Sequence, residues 1–372
     1  MSRSFTRIAF SEALEDLTGG NIKTLQSDYL DSGDYPIVDQ GKALVAGYTN
    51  DASRLCQSPL PLIIFGDHTR IFKYVDFPFG LGADGTKVLR AKAGVDPKYV
   101  FHFLQQVPIE SAGYSRHFKF LKETTIPLPP LDEQRRIAAI LDQADALRRK
   151  RREHSSRMAA LVSAKFQAMF GDPVGTKRLY PSVELVSLID SDRPITYGIL
   201  KPGPDLLDGV PYVRVVDIKG GRVLTDQLRR TSPEISHQYR RSTLRTGDVL
   251  ISIRGHVGRM ALVPPEADGA NITQDTARLA IVGANPIFVR ALMEHPLSKR
   301  WMAERTRGIA VQGINLGDLK KFPVLVPPRE EQDSFADFYK EVELNRSAGD
   351  RQLAHLDALF ASLQHRAFRG EL

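Results

Sequence analysis

One segment occurs twice in this chain, and it constrains the fold more than any other feature of the sequence. The first copy begins IPLPPLDEQ at residue 126 and the second begins VLVPPREEQ at residue 324, and they align without a gap over about fifty residues. Each copy then continues without proline and ends on an aromatic residue and a short acidic tail. A repeat of this length indicates that one structural unit is built twice.

Each copy should change from extended chain to a long helix. Two consecutive prolines fit neither a helix interior nor a central strand, so the chain is expected to be extended there. The acidic residues that follow at once favour the positive end of a helix. Apolar residues then recur at spacings of three and four, and no proline interrupts residues 131–172 or 329–372. The pattern predicts one long helix in each range.

The second predicted helix carries an apolar seam like that of a coiled coil, at Leu353, Leu356, Phe360, Leu363 and Ala367. The same positions of the first helix are less regular, being Ser155, Met158, Val162, Lys165 and Met169. About 38 residues give a helix of roughly 57 Å. We expect the two helices to pack on each other and to act as a spacer between two globular domains.

The two regions outside the repeat have a different pattern. Short apolar runs between turn signals predict strands at residues 60–66, 210–216 and 247–253. The two regions do not resemble each other in sequence. The chain is therefore predicted to be an α+β protein with globular domains at residues 1–125 and 173–322. Each is followed by a proline turn and a long helix, at residues 126–172 and 323–372.

Composition limits the classes of function. The formal net charge is +7, which favours a polyanionic partner because basic side chains that neutralise phosphates release counterions. Cys56 is the single cysteine, so neither a disulfide within the chain nor a thiolate zinc site can form. No stretch approaches the roughly 18 apolar residues of a membrane helix. We expect a cytoplasmic protein without a membrane segment, a metal or a cofactor.

Signatures of catalysis are almost absent from the sequence. There is no glycine fingerprint for a dinucleotide or S-adenosylmethionine and no phosphate-binding loop of the Walker type. Asp205, Asp217 and Lys219 loosely resemble the acidic-acidic-lysine pattern of Mg²⁺-dependent nucleases, in which carboxylates hold the metal and a lysine orients water. A strand that turns at Lys219 explains the same residues. His68 beside Asp67 is predicted to be a polar loop residue rather than half of a catalytic dyad.

Basic, amide and aromatic residues cluster in both globular regions. Arginine can read guanine with two hydrogen bonds, and glutamine or asparagine can read adenine in the same way. Tyr114, Phe118 and Phe120 interleave with the first cluster. The predicted DNA-binding residues are His68, Arg70, Lys73, Arg116, His117, Lys119, Arg254, His256, Arg259, Arg307, Gln312 and Asn315. The basic run at residues 148–152 is expected to be a solvated helix face or else a contact to phosphate or to a partner.

These segments together resemble a known family, the specificity (S) subunits of Type I restriction–modification enzymes. The paired prolines followed by a long helix carry most of the resemblance. Further similar segments are residues 63–70, 82–85, 113–119, 247–255 and 308–315, and the C-terminal residues 367–372.

The resemblance implies two target-recognition domains held apart by two long antiparallel helices, in a pseudo-twofold internal repeat. Each domain would read one half of a split site in double-stranded DNA. The helices would set the unread gap and dock two methyltransferase (modification) subunits, and restriction subunits would then join. Methyl transfer and cleavage would belong to those partners, and this chain would have no catalytic residue.

Two other functions stay open from the residues alone. One is a self-sufficient Mg²⁺-dependent nuclease that uses Asp205, Asp217 and Lys219. The other is a protein-interaction scaffold whose positive charge has no role in DNA binding. Salt-dependent DNA binding would distinguish the scaffold from a DNA-recognition subunit.

Overall fold

The computed structural model describes residues 5–82, 85–110, 116–175, 177–308 and 312–372. The chain forms two compact units. Unit 1 comprises Met1–Arg152 together with Gln352–Leu372, and unit 2 comprises Glu153–Arg351. Each unit therefore contains part of both repeated segments.

Unit 1 combines short strands with helices. In chain order its elements are β1 (Thr6–Ala9), α1 (Phe10–Ala13), β2 (Leu14–Asp16), β3 (Tyr35–Val38), β4 (Gly47–Thr49), β5 (Leu62–Gly66), β6 (Phe72–Val75), β7 (Gly80–Leu81), β8 (Thr86–Ala91), α2 (Pro97–Gln106), α3 (Phe118–Lys122), β9 (Thr125–Leu128) and the start of α4 (Leu131–Phe170).

Two sheets form the body of unit 1. One is antiparallel with the order β2-β8-β5-β6, and the other has the order β4-β3-β7 with β3 parallel to β7. Strand β5 is buried along its whole length. Successive side chains of a strand point to opposite faces, so Ile63 and Phe65 enter the core that contains α2 and the long helices, while Leu62 and Ile64 enter the core beneath β7.

The chain that leads into the first proline pair is a strand, and the pair itself lies between this strand and α4. Strand β9 pairs antiparallel with β1, with Arg7 opposite Pro127. Helix α4 begins at Leu131, directly after the second proline. The predicted extended segment and the helix that follows it are both confirmed.

Unit 2 has a similar set of elements. They are β10 (Ser182–Glu184), β11 (Thr196–Tyr197), β12 (Val210–Val213), β13 (Ile218–Lys219), β14 (Arg222–Val223), β15 (Arg229–Thr231), α5 (Pro233–Gln238), β16 (Val249–Ser252), β17 (Met260–Leu262), β18 (Asn271–Ile272), β19 (Thr276–Leu279), α6 (Pro286–Glu294), α7 (Pro296–Glu304), α8 (Leu316–Lys320), β20 (Pro323–Leu325) and the start of α9 (Arg329–Ala367).

The sheets of unit 2 repeat the pattern of unit 1. The antiparallel sheet has the order β11-β19-β16-β17, and the second sheet has the order β15-β12-β18 with β12 parallel to β18. Strand β16 is buried throughout, with Val249 and Ile251 in one core and Leu250 in the other. Strand β20 pairs with β10 just before the second proline pair.

The two long helices contact each other within each unit. In unit 1, Asp357 of α9 accepts hydrogen bonds from Arg148 and Arg152 of α4, at 2.6 and 2.9 Å. In unit 2, the ring of Phe166 lies 5.4 Å from that of Phe335. In unit 1, Arg151 contacts Gln352 while Arg148 contacts Asp357, and in unit 2 Ser155 contacts Asp350 while Phe166 contacts Phe335. The helices are therefore antiparallel within each unit. The fold class is confirmed as mixed helix and sheet with long paired helices, while the domain boundaries and the pseudo-twofold relation stay predictions.

The first helix departs from the strict seam at Lys165. The ammonium of Lys165 lies 6.0 Å from the centre of the Phe338 ring of α9, although the residue as a whole is exposed. Phe166 and Phe170 are buried instead, at 1% and 0% exposure, against Phe288 and Phe335. The strict coiled-coil spacing fails here because α4 packs against the core of unit 2 as well as against α9. A larger apolar face is then buried than the narrow seam of a coiled coil.

None of the helices in the described ranges combines the length and the apolar character needed to cross a bilayer.

Candidate nucleic-acid interface

In unit 1 the turn between β5 and β6 is tied to the start of α3. The buried Asp67 accepts a hydrogen bond through Oδ1 from the backbone N–H of Phe118 at 2.7 Å. Its carbonyl oxygen lies 2.8 Å from Nδ1 of His117 and accepts the His117 N–H at 3.1 Å. The structure thus brings the predicted group at residues 68–70 next to the predicted group at residues 116–119.

Four predicted residues of unit 1 have exposed side chains: His68, Arg70, Arg116 and Lys119. Arg70 adopts a φ of 60°, which costs most non-glycine residues roughly 1–2 kcal/mol. Its backbone N–H donates to Gly66 O at 2.7 Å and its guanidinium to Ile109 O at 2.9 Å. The turn therefore holds His68 and Arg70 in a fixed position at the surface. Tyr114, also predicted for this cluster, lies outside the described residues.

Lys73 and His117 are inside unit 1. Lys73 is 5% exposed, and its ammonium lies 3.5 Å from the Asp39 carboxylate. Burial lowers the pKa of Lys73, and the charge of Asp39 opposes that shift. His117 is 1% exposed and bonded to Asp67. His117 holds the turn in place, whereas Lys73 pairs with Asp39. Neither side chain has the surface position that the predicted contact with DNA requires.

Sequence reasoning missed two lysines that lie over the ring of Phe118, Lys122 at the end of α3 and Lys87 on the neighbouring strand β8. The ammonium groups of Lys87 and Lys122 lie 4.9 and 4.8 Å from the centre of the Phe118 ring, and Lys119 lies 4.8 Å from the Phe120 ring. Strand pairing places Lys87 opposite Phe65, next to α3. No sequence signal joins residues 87 and 122, because only the sheet brings them together.

In unit 2, three of the predicted residues line one cleft. Its volume is about 800 Å³, and its lining includes Arg254, Arg307 and Asn315. Tyr197, Gln274 and Asp275 line the same cleft and were not predicted. Tyr197 was missed because it reaches the cleft only through the pairing of β11 with β19, across about eighty residues of chain. The cleft combines cationic, amide, acidic and aromatic groups, which are the side chains that contact base edges.

Backbone hydrogen bonds fix the walls of this cleft. Gly313 forms antiparallel bridges with both Arg254 and Arg307. The N–H of Gly255 donates to the carbonyl oxygen of Gln312 at 2.8 Å. The guanidinium of Arg254 also lies 3.4 Å from Oε1 of Gln274. The two arginines are therefore presented from segments that are bonded to each other.

The other predicted residues of unit 2 have different surroundings. Asn315 is the N-cap of α8, where its Oδ1 accepts from Asp318 N–H at 2.7 Å and its Nδ2 donates to the Asp318 carboxylate at 2.6 Å. Gln312 lines a smaller neighbouring pocket of about 330 Å³, and Arg259 lines another of about 510 Å³. His256 is exposed. The structure thus assembles Arg254 and Arg307 with Asn315, but not the whole predicted set.

The three residues of the nuclease alternative do not form a metal site. Both carboxylate oxygens of Asp217 accept from Arg214, at 2.9 and 2.8 Å, and Asp217 is 2% exposed. Asp205 accepts from the N–H of Arg230 at 2.8 Å. In the part of the chain that the structure describes, no group of three or more His, Cys, Asp or Glu side chains is placed to hold a metal ion.

Comparison with known proteins points to one family. Residues 14–154 match the model of the Type I restriction modification DNA specificity domain. The EcoBI specificity subunit of Escherichia coli, a Type I restriction enzyme subunit, is 31% identical over 285 residues, which are 68% of this chain and 59% of that protein.

The chain belongs to the family of Type I specificity subunits.

Two further members of the family extend the comparison. The EcoR124I/EcoR124II specificity subunit of Escherichia coli is 32% identical over 133 residues, 32% of this chain and 33% of that protein. The chain thus spans about three fifths and one third of the lengths of these two curated relatives. The crystal structure of the Type I S subunit from M. genitalium has a TM-score of 0.56 at 14% identity, over 98% of this chain and 96% of that one. The similarity to the M. genitalium structure, at 14% identity, supports the fold alone.

Proposed function

We propose that this Type I specificity subunit recognises a bipartite site in double-stranded DNA, with unit 1 reading one half-site and unit 2 the other. The cleft of unit 2 that gathers Arg254, Arg307, Gln274 and Asn315 carries the proposal. Its guanidinium and amide groups match the acceptors and donors of the major groove. The exposed turn of unit 1, with His68 and Arg70, is the corresponding candidate there.

Methyl transfer and DNA cleavage are assigned to partner subunits of a restriction–modification complex. The proposal rests on the relatives, whose names describe them as specificity subunits of restriction enzymes. The paired helices α4 and α9 are the proposed docking elements for two methyltransferase subunits, which restriction subunits would join. The complex would act in the cytoplasm, where it meets DNA.

The experiment compares the purified chain with the chain co-expressed with its methyltransferase partner. Transfer of labelled methyl groups from S-adenosylmethionine to DNA is measured for both. The account expects no transfer by the isolated chain and site-selective transfer by the complex. Substituting Arg254→Ala and Arg307→Ala together should reduce transfer at the cognate site, whereas Arg300→Ala, an exposed arginine paired with Glu304, should not.

Two results would reject the proposal. Methylation by the isolated chain would show that it carries its own catalytic centre. DNA binding that does not weaken with salt, even in the complex, would favour the protein-interaction scaffold, because phosphate contacts make binding salt-dependent.

A further inference from the structure

A second cleft in unit 2 is lined mainly by arginines. Its volume is about 610 Å³, and its arginines are Arg193, Arg240, Arg241, Arg245 and Arg278. Asp192, Pro194 and Thr243 complete the lining. The sequence-based candidates include none of these residues. Five like charges around one cavity repel each other, so their arrangement requires compensation by counter-charges or by an anion.

Two of these arginines are held rigidly by the protein. Arg193 forms a two-pronged ion pair with the buried Asp248, at 2.9 and 2.5 Å. Arg278 is 2% exposed and donates to the carbonyl oxygens of Pro194 and Thr243, at 2.9 and 3.3 Å. Its Nε is buried and has no hydrogen-bond partner among the described residues. Burial, and then the charge of Arg193, lower the pKa of Arg278.

The other three arginines are exposed and uncompensated. In the described ranges, the guanidinium groups of Arg240, Arg241 and Arg245 form neither an ion pair nor a side-chain hydrogen bond. Asp192 is the acidic residue of the lining, and Asp248 is already paired with Arg193. The cleft therefore keeps a net positive charge. Planar guanidinium groups of this kind pair with phosphate oxygens through two parallel hydrogen bonds.

The arginine cleft lies next to the cleft of Arg254 and Arg307. Pro194 lines the first and Tyr197 lines the second, and these residues stand only three positions apart. Three residues of extended chain span at most about 11 Å. Duplex DNA carries one negative charge per roughly 1.7 Å of helix axis. A duplex whose bases meet the cleft of Arg254 and Arg307 would therefore have backbone phosphates within reach of the arginine cleft.

We infer that the arginine cleft of unit 2 binds the phosphodiester backbone of duplex DNA beside the half-site that this unit reads. The inference rests on the proposed function and adds a contact that positions the DNA. Arg193 and Arg278 form the fixed floor, and Arg240, Arg241 and Arg245 engage the phosphates. Contacts to phosphate fix the register of a protein on DNA but carry no sequence information directly.

The test measures DNA affinity as a function of salt concentration for the full chain in complex with its methyltransferase partner. Cognate and scrambled duplexes are compared for wild type and for Arg240→Gln/Arg241→Gln. Arg90→Gln/Arg300→Gln is the matched control, because it removes two positive charges from exposed positions outside α4, α9 and the two clefts. Losing two phosphate contacts should reduce the slope of log affinity against log salt by about 1.8. Arg245→Gln alone should reduce it by about 0.9.

The expected result is equal weakening on cognate and scrambled DNA, a shallower salt slope, and an unchanged ratio between the two affinities. An unchanged slope would overturn the inference, and so would a change in the affinity ratio alone. Binding of pyrophosphate to the cleft without an effect of Arg240→Gln/Arg241→Gln on DNA would assign it to a small anion and overturn the inference as well. If wild type shows no salt-dependent DNA binding, the proposed function itself fails.

Discussion

The side-chain amide of Gln134 donates to the carbonyl oxygen of Pro129, five residues earlier, at 2.8 Å. Its Oε1 accepts the N–H of Asp96, the N-cap residue of α2, also at 2.8 Å. In unit 2, Gln332 bonds in the same way to Pro327 and to the N–H of Asn285, the N-cap residue of α6. The glutamine after each proline pair thus joins the long helix to a second helix.

Substitution of either glutamine should destabilise its own unit. Gln134 and Gln332 are 1% and 4% exposed, and an unsatisfied buried polar group costs about 1–3 kcal/mol. Gln134→Ala should lower the free energy of unfolding of unit 1 by about that amount, and Gln332→Ala that of unit 2. Chemical denaturation followed by hydrogen exchange in each unit measures the change.

Gln143→Ala is the control for this prediction, because Gln143 lies on the same helix as Gln134 and is exposed. Its effect should stay within about 0.5 kcal/mol. Equal effects of Gln143→Ala and Gln134→Ala would show that the hydrogen bonds of Gln134 to Pro129 and Asp96 do not stabilise unit 1.

Removing Arg254 and Arg307 from the cleft that they line should weaken recognition of one half-site only. A well-placed pair of hydrogen bonds to a base contributes about 1–3 kcal/mol of discrimination. Arg254→Ala and Arg307→Ala should each reduce the preference for the half-site of unit 2 by roughly 5- to 150-fold. Competition binding with duplexes altered in one half-site measures this, and loss of preference at both half-sites would contradict the assignment.

Acidification should destabilise unit 2 through His295. This residue is 6% exposed and caps α7, where Nδ1 accepts the Leu297 N–H at 3.3 Å. Burial lowers the pKa of His295 below 6.5, and Asp172 opposes the shift. The unfolded chain then binds the proton more readily, so this contribution to stability is complete above pH 6.5 and is lost as the pH falls towards the folded pKa.

His295→Asn keeps a capping acceptor but removes the titration. The melting temperature of this variant should fall less between pH 7.5 and 5 than that of the wild type, and His237→Asn, at an exposed position, should behave like the wild type. An identical pH profile for His295→Asn and wild type would refute the role of His295.

Asp217 should act as a structural residue and not as a metal ligand. Asp217→Ala leaves Arg214 without its partner, and we expect a loss of stability of about 1–3 kcal/mol. Neither wild type nor Asp217→Ala should cut supercoiled DNA with Mg²⁺. Mg²⁺-dependent cutting that disappears in Asp217→Ala would restore the nuclease alternative.

Local sequence patterns predicted the features that depend on near neighbours. The proline pairs and the spacing of apolar residues led to α4 and α9, and the apolar runs led to β5 and β16. Features that depend on distant pairing were missed. Lys73 looked like a surface cation until the fold placed Asp39 beside it. The arginine cleft joins residues from 192 to 278, and no spacing rule links them.

The central claim is that this chain directs methylation to a bipartite DNA site. Mapping of methylated adenines across the genome, with this gene intact, deleted, or carrying Arg254→Ala/Arg307→Ala, tests it most directly. The account predicts a split motif that is methylated only with the intact gene, and relaxed selectivity in one half of that motif for the double variant. Methylation that is the same with the gene deleted, or a gene-dependent motif without an unread gap, would contradict it.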